Sequence, residues 1–236
     1  MHNIYLWLDI FVILFPFALS FDKKVAFYKN WIFLFPAILV VGSFFIIWDM
    51  LFTKNGVWGF NNDYLTGIYF YNLPLEEVLF FIFVPYACVF IYECLKGYFT
   101  SNFLEYSHTY ITLVLLFILP IISIFYYNRD YTFYTSLFSW VLLLIQYFIL
   151  KKKYMSWFYI AYLIHLIPFI IINGVLTALP VVIYNNMENT GIRIYTIPVE
   201  DTLYSFFLFL GNIMIMDFLK EKFSNPVLEI LKSKNE

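Results

Sequence analysis

Seven apolar runs dominate this chain, and each is close to the length that crosses a lipid bilayer. A helix of roughly 20 residues spans the hydrocarbon layer of a membrane, which is about 30 Å thick. The runs lie approximately at 4–21, 31–52, 75–95, 109–127, 133–150, 156–176 and 198–219. Because 63% of the 236 residues are hydrophobic and 13% are charged, soluble fold classes are excluded. The sequence predicts an all-α, polytopic membrane helix bundle of about seven transmembrane helices.

Basic residues predict how the bundle is oriented. Lysines follow predicted helices 1, 3, 5 and 7, at Lys23, Lys24, Lys29, Lys96, Lys151, Lys152, Lys153, Lys220 and Lys222. Cytoplasmic loops are enriched in Lys and Arg. We therefore expect an integral protein of the cell (inner) membrane, with its N-terminus outside and its C-terminus in the cytoplasm.

The second half of the chain repeats the first at an offset of 124 residues. Residues 45–96 placed over 169–220 give 18 identities in 52 positions, where roughly 4 would arise by chance in so apolar a chain. Predicted helices 1–3 then correspond to helices 5–7, and helix 4 is unpaired and restores the direction of the second copy. We expect two parallel repeats, 1–96 and 129–220, joined by a linker helix in 97–128 and followed by a cytoplasmic tail at 221–236.

Each copy carries a proline and two acids at the head of an apolar helix. These residues are Pro74, Glu76 and Glu77 in the first copy and Pro198, Glu200 and Asp201 in the second. Proline suits the first turn of a helix. The acids either complement the positive helix end at the membrane interface or face the bundle interior, where ionisable groups are functional candidates. Their recurrence favours the second interpretation, in which mutual repulsion leaves one acid protonated and creates an acid and base pair.

Aromatic side chains surround both motifs and form a candidate substrate wall. They are Tyr71, Phe80, Phe81, Phe83, Tyr195, Tyr204 and Phe207. Aromatic faces stabilise cations, although such rings also face lipid or form interfacial belts.

Several polar residues correspond between the copies and are candidate supporting residues. Asp49 and its counterpart Asn173 either orient the acids or are solvated at the interface. Asn61, Asn62, Asn185 and Asn186 either form turns or bind the acids. Within the predicted helices, His165 and Cys88 are interpreted as core residues.

The motif "PLEEVLF" resembles P-x-E-[EQ]-x-x-F of the small membrane lycopene beta-cyclases. Members of this family are built from two homologous halves, which are separate subunits in some bacteria and one fused chain in archaea and fungi. The second motif, "PVEDTLY", keeps Pro198 and Glu200 but has Asp201 and Tyr204 where the family motif has Glu or Gln and Phe.

The resemblance implies redox-neutral ring closure at the end of a linear carotene such as lycopene. Glu76 and Glu200 would be the core acid and base, with Glu77 and Asp201 tuning or sharing the proton. The implied partners are a lipophilic carotenoid, the lipid bilayer and other carotenoid-pathway enzymes, with no nucleic acid. We expect no cofactor and no metal, since no nucleotide-binding motif is present. The sequence leaves open whether one or both ends of the carotene are cyclised and what the oligomeric state is.

Three other functions fit parts of the pattern. A small proton-coupled or metabolite transporter also combines parallel repeats with paired intramembrane acids, but it predicts helices broken near the membrane midplane. An isoprenoid transferase requires Asp-rich clusters that are absent from the sequence. A light-driven pigment protein requires a lysine within helix 7, where none lies.

Overall fold

A computed structural model describes residues 3–150 and 154–233, and these ranges contain seven α-helices. The helices are α1 (Ile4–Leu19), α2 (Trp31–Asn55), α3 (Leu75–Tyr98), α4 (His108–Phe125), α5 (Asp130–Leu144), α6 (Met155–Ala178) and α7 (Val199–Ser233). The predicted all-α membrane bundle is confirmed: among the described residues, the six helical segments from α2 to α7 are long and apolar enough to cross a membrane. With 16 residues, α1 is shorter.

Most helix boundaries lie within three residues of the predicted ones. The main difference is α7, which continues to Ser233 rather than ending near 219. An apolar run marks only the part of a helix that faces lipid, whereas polar residues such as Glu221 and Lys222 are themselves good helix formers. Lys151, Lys152 and Lys153 of the orientation pattern, and residues 234–236 of the predicted tail, lie outside the described residues.

The helices pack in symmetric pairs. α1 packs on α3 in the first half, as α5 packs on α7 in the second. Between the halves, α2 packs on α7, and its counterpart α6 packs on α3. Each contact therefore occurs twice, as two parallel repeats around an axis require. The unpaired helix α4 packs mainly on α5.

Among the described residues, six short strands connect the helices at the acidic end of the bundle. They are β1 (Trp58–Phe60), β2 (Tyr69–Phe70), β3 (Leu73–Pro74), β4 (Val182–Tyr184), β5 (Arg193–Ile194) and β6 (Ile197–Pro198). β1 pairs with β4 in antiparallel register, with Gly59 opposite Ile183 at its centre. Because these two residues are 124 positions apart, the ribbon is centred on the axis that relates the repeats. Strands this short leave no alternating pattern, so the sequence did not predict them.

Two equivalent hairpins lead into the acidic helices. β2 pairs with β3, and β5 pairs with β6. The hairpins reverse at Tyr71 and Tyr195, whose φ angles of 60° and 59° are in the left-handed region. That conformation is uncommon for bulky residues, and it occurs at the same position in both copies. The repeat therefore preserves the loop geometry that delivers the acids as well as the helices.

Candidate active site

The acidic motifs occupy the first turns of α3 and α7. α3 begins at Leu75, directly after Pro74, whose extended backbone (φ −64°, ψ 150°) places it at the N-cap rather than inside the first turn. Glu76 and Glu77 are then the second and third helical residues. Carboxylates at these positions are stabilised by the unpaired N–H groups and by the positive end of the helix dipole.

Glu76 and Glu200 bind the loops that precede their helices. Glu76 Oε1 accepts a hydrogen bond from the backbone N–H of Thr66 at 2.6 Å, and Glu200 Oε1 accepts one from Thr190 at 2.7 Å. Glu200 Oε1 also accepts from Thr132 Oγ1 at 2.7 Å. Both side chains are buried. We name Glu76 and Glu200 the loop-binding acids, because each closes its loop onto the start of a helix.

Glu77 and Asp201 form a second pair, the cavity acids, with different partners. Glu77 Oε2 accepts a hydrogen bond from Tyr5 of α1 at 2.6 Å. Asp201 Oδ1 accepts one from Tyr131 of α5 at 2.5 Å. Since α1 and α5 are counterparts, each cavity acid is held by an equivalent tyrosine of its own half.

The partners on the other side of the cavity acids differ between the halves. Asp201 Oδ2 accepts hydrogen bonds from Asn173 Nδ2 at 2.6 Å and from Tyr184 OH at 2.8 Å. Burial raises the pKa of the Tyr184 hydroxyl well above its ordinary value, so Tyr184 is a neutral donor. Asp201 thus accepts three hydrogen bonds, an environment that suits a carboxylate.

Glu77 instead has a carboxyl group as its neighbour. Asp49, the counterpart of Asn173, is fully buried beside Glu77. Asp49 Oδ1 accepts from the indole N–H of Trp58, while Oδ2 has no hydrogen bond of normal geometry among the described residues. Two neighbouring buried carboxyl groups repel each other when both are ionised, so a single shared proton stabilises them. The Glu77–Asp49 pair is therefore suited to hold one.

An apolar cavity of about 300 Å³ opens beside the cavity acids. It lies between α1, α3, α6 and α7, with β1 and β4 contributing at the acidic end. Its wall near the acids includes Trp58, Phe60, Phe80, Tyr131, Tyr184 and Tyr204. Glu77 and Asp201 belong to the lining, whereas Glu76 and Glu200 do not. The site therefore joins one acid from each half at one end of a single, mostly apolar space.

Deeper in the bundle the cavity is lined by Cys88, Ile91 and His165. His165 Nδ1 lies 3.4 Å from Cys88 Sγ. His165 Nε2 is buried and has no hydrogen-bond partner among the described residues. The predicted core position of His165 thus satisfies only one of its two ring nitrogens.

Comparison with known proteins identifies the family of the chain. A family model described as Lycopene cyclase matches residues 2–95 and 128–219, which together are more than half of the chain. The chain belongs to the lycopene cyclase family. Neither the curated proteins nor the solved structures give a match. Membership makes this chain a membrane cyclase of carotenoid biosynthesis, and its two matched segments correspond to the two copies of the repeat.

Within this lycopene cyclase family member, the candidate aromatic residues lie in three different places. Phe80 and Tyr204 line the cavity. Phe81 and Phe207 pack in the core beside it, with Phe45 between them, and Phe83 is outside the lining. Tyr71 and Tyr195 are 76% and 80% exposed at the hairpin tips. Their left-handed backbone turns both rings away from the bundle, which explains why neither reaches the cavity.

The four repeated asparagines of this family member make loop contacts. Asn61 Oδ1 and Asn185 Oδ1 accept hydrogen bonds from the backbone N–H groups of Asp63 and Met187 at 3.0 Å. Asn62 accepts from the Tyr69 hydroxyl, and Asn186 accepts from the Arg193 guanidinium. These contacts correspond to the turn interpretation.

Sequence reasoning missed the hydroxyl groups that hold the acids. Tyr5 and Tyr131 are 126 rather than 124 residues apart, so an ungapped comparison does not align them. Thr66 and Thr190 were visible as identities of the repeat, but a backbone N–H that binds an acid leaves no residue-type signal. A repeat search that allowed a two-residue gap between α5 and α6 would have found the tyrosine pair.

Proposed function

We propose that this chain closes the end group of lycopene into a β-ring and that Glu77 and Asp201 carry out the proton transfers. The observation that supports this most directly is the pair of acids, one from each half, at one end of an apolar cavity with aromatic walls. The proposal transfers the chemistry from Glu76 and Glu200, which the family motif favours, to their neighbours in sequence. Glu76 and Glu200 then act by fixing the loops that cover the site.

Glu77 is the proton donor in this proposal, because it lines the cavity and has a second buried carboxyl group, that of Asp49, as its neighbour, so that the pair favours holding one proton. Donation to the terminal double bond of the carotene forms a C–H bond and leaves a tertiary cation on the adjacent carbon. The neighbouring double bond attacks this cation, which closes the six-membered ring and moves the positive charge to a ring carbon. No electrons are gained or lost in these steps.

Asp201 is the proton acceptor, because its three hydrogen-bond donors favour the ionised form. It removes a proton from the carbon next to the ring cation, and the electrons of that C–H bond form the ring double bond. One proton enters and one leaves, so the product is an isomer of the substrate. The Asp49–Asn173 difference between the copies explains how a symmetric fold supplies one acid and one base.

The cavity wall suits a carbocation. Trp58, Tyr184 and Tyr204 present aromatic rings beside the acids, and Tyr131 stacks on Tyr184 with ring centroids 5.9 Å apart. Aromatic faces attract cations most strongly where water is excluded. Water must also be kept away because it would capture the cation as an alcohol.

The dimensions of the cavity fit one end of a carotene rather than the whole molecule. The lining extends along α3 from Glu77 to Ile91, which is about 21 Å at 1.5 Å per residue. A 40-carbon polyene is roughly as long as a bilayer is thick. The rest of the chain therefore extends beyond the cavity, between α1 and α6, into the lipid.

The transporter alternative is less well supported. It predicted helices broken near the membrane midplane, whereas the acids lie in the first turns of α3 and α7.

The proposal also includes the location and partners of the protein. It places the chain in the cell membrane with its N-terminus outside, and it includes association with other carotenoid-pathway enzymes.

Isotope incorporation tests the proposed function. Lycopene would be supplied to the full-length protein in lipid vesicles prepared in heavy water, and the pigments would be analysed by chromatography and mass spectrometry. The proposal predicts β-ring carotenes that carry one deuterium per ring, because the added proton comes from an exchangeable acid. Unchanged lycopene from folded protein would refute the proposal, and rings without deuterium would refute the acid step.

A further inference from the structure

The cavity occupies one of two grooves that the repeat creates. The first groove lies between α1, α3 and α6, and its counterpart lies between α5, α7 and α2. In the described residues, neither α1 and α6 nor α2 and α5 are among the closely packed helix pairs. The backbone therefore leaves a gap in both halves, and side chains decide whether each gap stays open.

Aromatic rings stand in the second groove where smaller side chains line the first. The offsets of 126 for α1 and 124 for α6 relate each lining residue to a position in the second groove. Phe11 and Phe15 of the first groove correspond to the smaller Leu137 and Val141, but at three other positions a smaller residue of the first groove corresponds to a ring of the second. At these three positions, Val12, Pro168 and Ile172 of the first groove correspond to Phe138, Phe44 and Trp48 of the second. Val12, Pro168 and Ile172 all line the cavity.

The three rings of the second groove are in contact with one another. The ring centroid of Phe138 on α5 lies 5.6 Å from that of Phe44 and 5.0 Å from that of Trp48, both on α2. Both pairs are close to perpendicular, at 72° and 84°, an arrangement that aromatic pairs favour. Phe44, Trp48 and Phe138, which we name the aromatic plug, thus bridge the gap between α2 and α5.

We infer that the chain has a single ring-closing pocket and that the second groove is a plugged copy of it. This inference rests on the proposed function. The axis relates Glu77 to Asp201, but both acids line the first groove, so the fold supplies two acids and one place for a carotene end group. Only one end of a carotene reacts per binding event.

A consequence follows for carotenes that receive two rings. The two ends of lycopene are far apart, and the end that is not reacting lies outside the pocket. A second ring therefore requires the one-ringed carotene to leave and to return with its other end inserted. The one-ringed product is released into the membrane, where it is available to other enzymes.

A pulse and chase experiment separates release from retention of the one-ringed intermediate. Full-length protein in vesicles would receive isotopically labelled lycopene for less than one turnover, followed by a hundredfold excess of unlabelled lycopene. The inference predicts that labelled carbon stays in the one-ringed product and that labelled two-ringed product falls at least tenfold relative to a chase without lycopene. A protein that forms only one-ringed product also supports the inference. Labelled two-ringed product that is unaffected by the chase would overturn it.

Exchanging side chains between the grooves provides a matched pair of variants. Val12→Phe, or Ile172→Trp as a second choice, gives the first groove a ring of the aromatic plug, and we expect the rate of ring formation to fall at least tenfold. Phe138→Val gives the plug the small residue of the first groove, and we expect the rate to stay within twofold. The thermal midpoint of each variant in detergent distinguishes blocked from unfolded protein.

The outcomes distinguish this inference from the proposed function. No ring from wild-type protein contradicts the proposed function itself. Rings from wild type, together with full activity in folded Val12→Phe and Ile172→Trp variants, contradict the placement of the pocket. Loss of activity in folded Phe138→Val would show that the plugged groove takes part in the reaction, and the single-pocket inference would be wrong.

Discussion

Removing the side chain of Glu200 tests whether the loop-binding acids hold the structure rather than react. Glu200→Ala leaves two donors without a partner, the partly buried Thr190 N–H and the buried Thr132 hydroxyl. An unsatisfied buried donor costs about 1–3 kcal/mol and a partly exposed one less, so the free energy of unfolding should fall by about 2–4 kcal/mol. Glu76→Ala removes the partner of only the Thr66 N–H, which gives about 1–3 kcal/mol.

The matched controls are Glu200→Gln and Glu76→Gln. An amide oxygen accepts the same hydrogen bonds as the carboxylate oxygen, so both Gln variants should keep nearly wild-type stability. Thermal unfolding in detergent, followed by tryptophan fluorescence, would rank the four variants, with about 2–4 °C expected per kcal/mol. A drop for Glu200→Gln as large as that for Glu200→Ala, or equal drops for the two Ala variants, would refute the assignment.

Three further substitutions test other parts of the structure. Asp49→Asn gives the first half the residue type that the second half has at the corresponding position, Asn173, and removes the carboxyl group that would share a proton with Glu77. The initial rate of ring formation in vesicles should therefore fall about 10²- to 10⁴-fold. A rate near that of wild type would contradict Glu77 as the donor. Gly191→Ala places a Cβ on a residue with φ +76° and should lower the free energy of unfolding by about 1–2 kcal/mol, whereas an unchanged thermal midpoint would argue against that loop conformation. Glu93→Gln breaks the 2.9 Å ion pair with Lys220, whose two side chains are mostly buried at the far end of the bundle. It should cost about 1–3 kcal/mol without slowing ring formation, and a slower rate would mean that the far end influences the site.

The helices and their symmetry could be predicted because they follow from patterns of many residues. Apolar runs of membrane-spanning length located all seven helices, and identities such as Gly67 with Gly191 located the repeat. The strand pair β1–β4 could not be predicted, because its three-residue strands are held by contact between the halves rather than by their own sequence.

The sequence pointed to the four acids but not to which of them line the cavity. Adjacent residues of a helix point about 100° apart, so Glu76 and Glu77 necessarily face different surroundings. Sequence spacing does not say which of the two faces the cavity, and that depends on how α3 packs against α1 and α2. The family motif fixes Glu at the first position and accepts Glu or Gln at the second, which favoured Glu76; the lining of the cavity favours Glu77.

Pigment chromatography of four variants tests the central claim most directly. Lycopene-accumulating cells would express Glu77→Gln, Asp201→Asn, Glu76→Gln and Glu200→Gln at matched protein levels, beside wild type. Our account predicts that β-ring carotenes disappear in the first two variants and persist in the last two. Rings that persist in Glu77→Gln or Asp201→Asn, or that disappear in folded Glu76→Gln and Glu200→Gln, would contradict it and return the chemistry to the loop-binding acids.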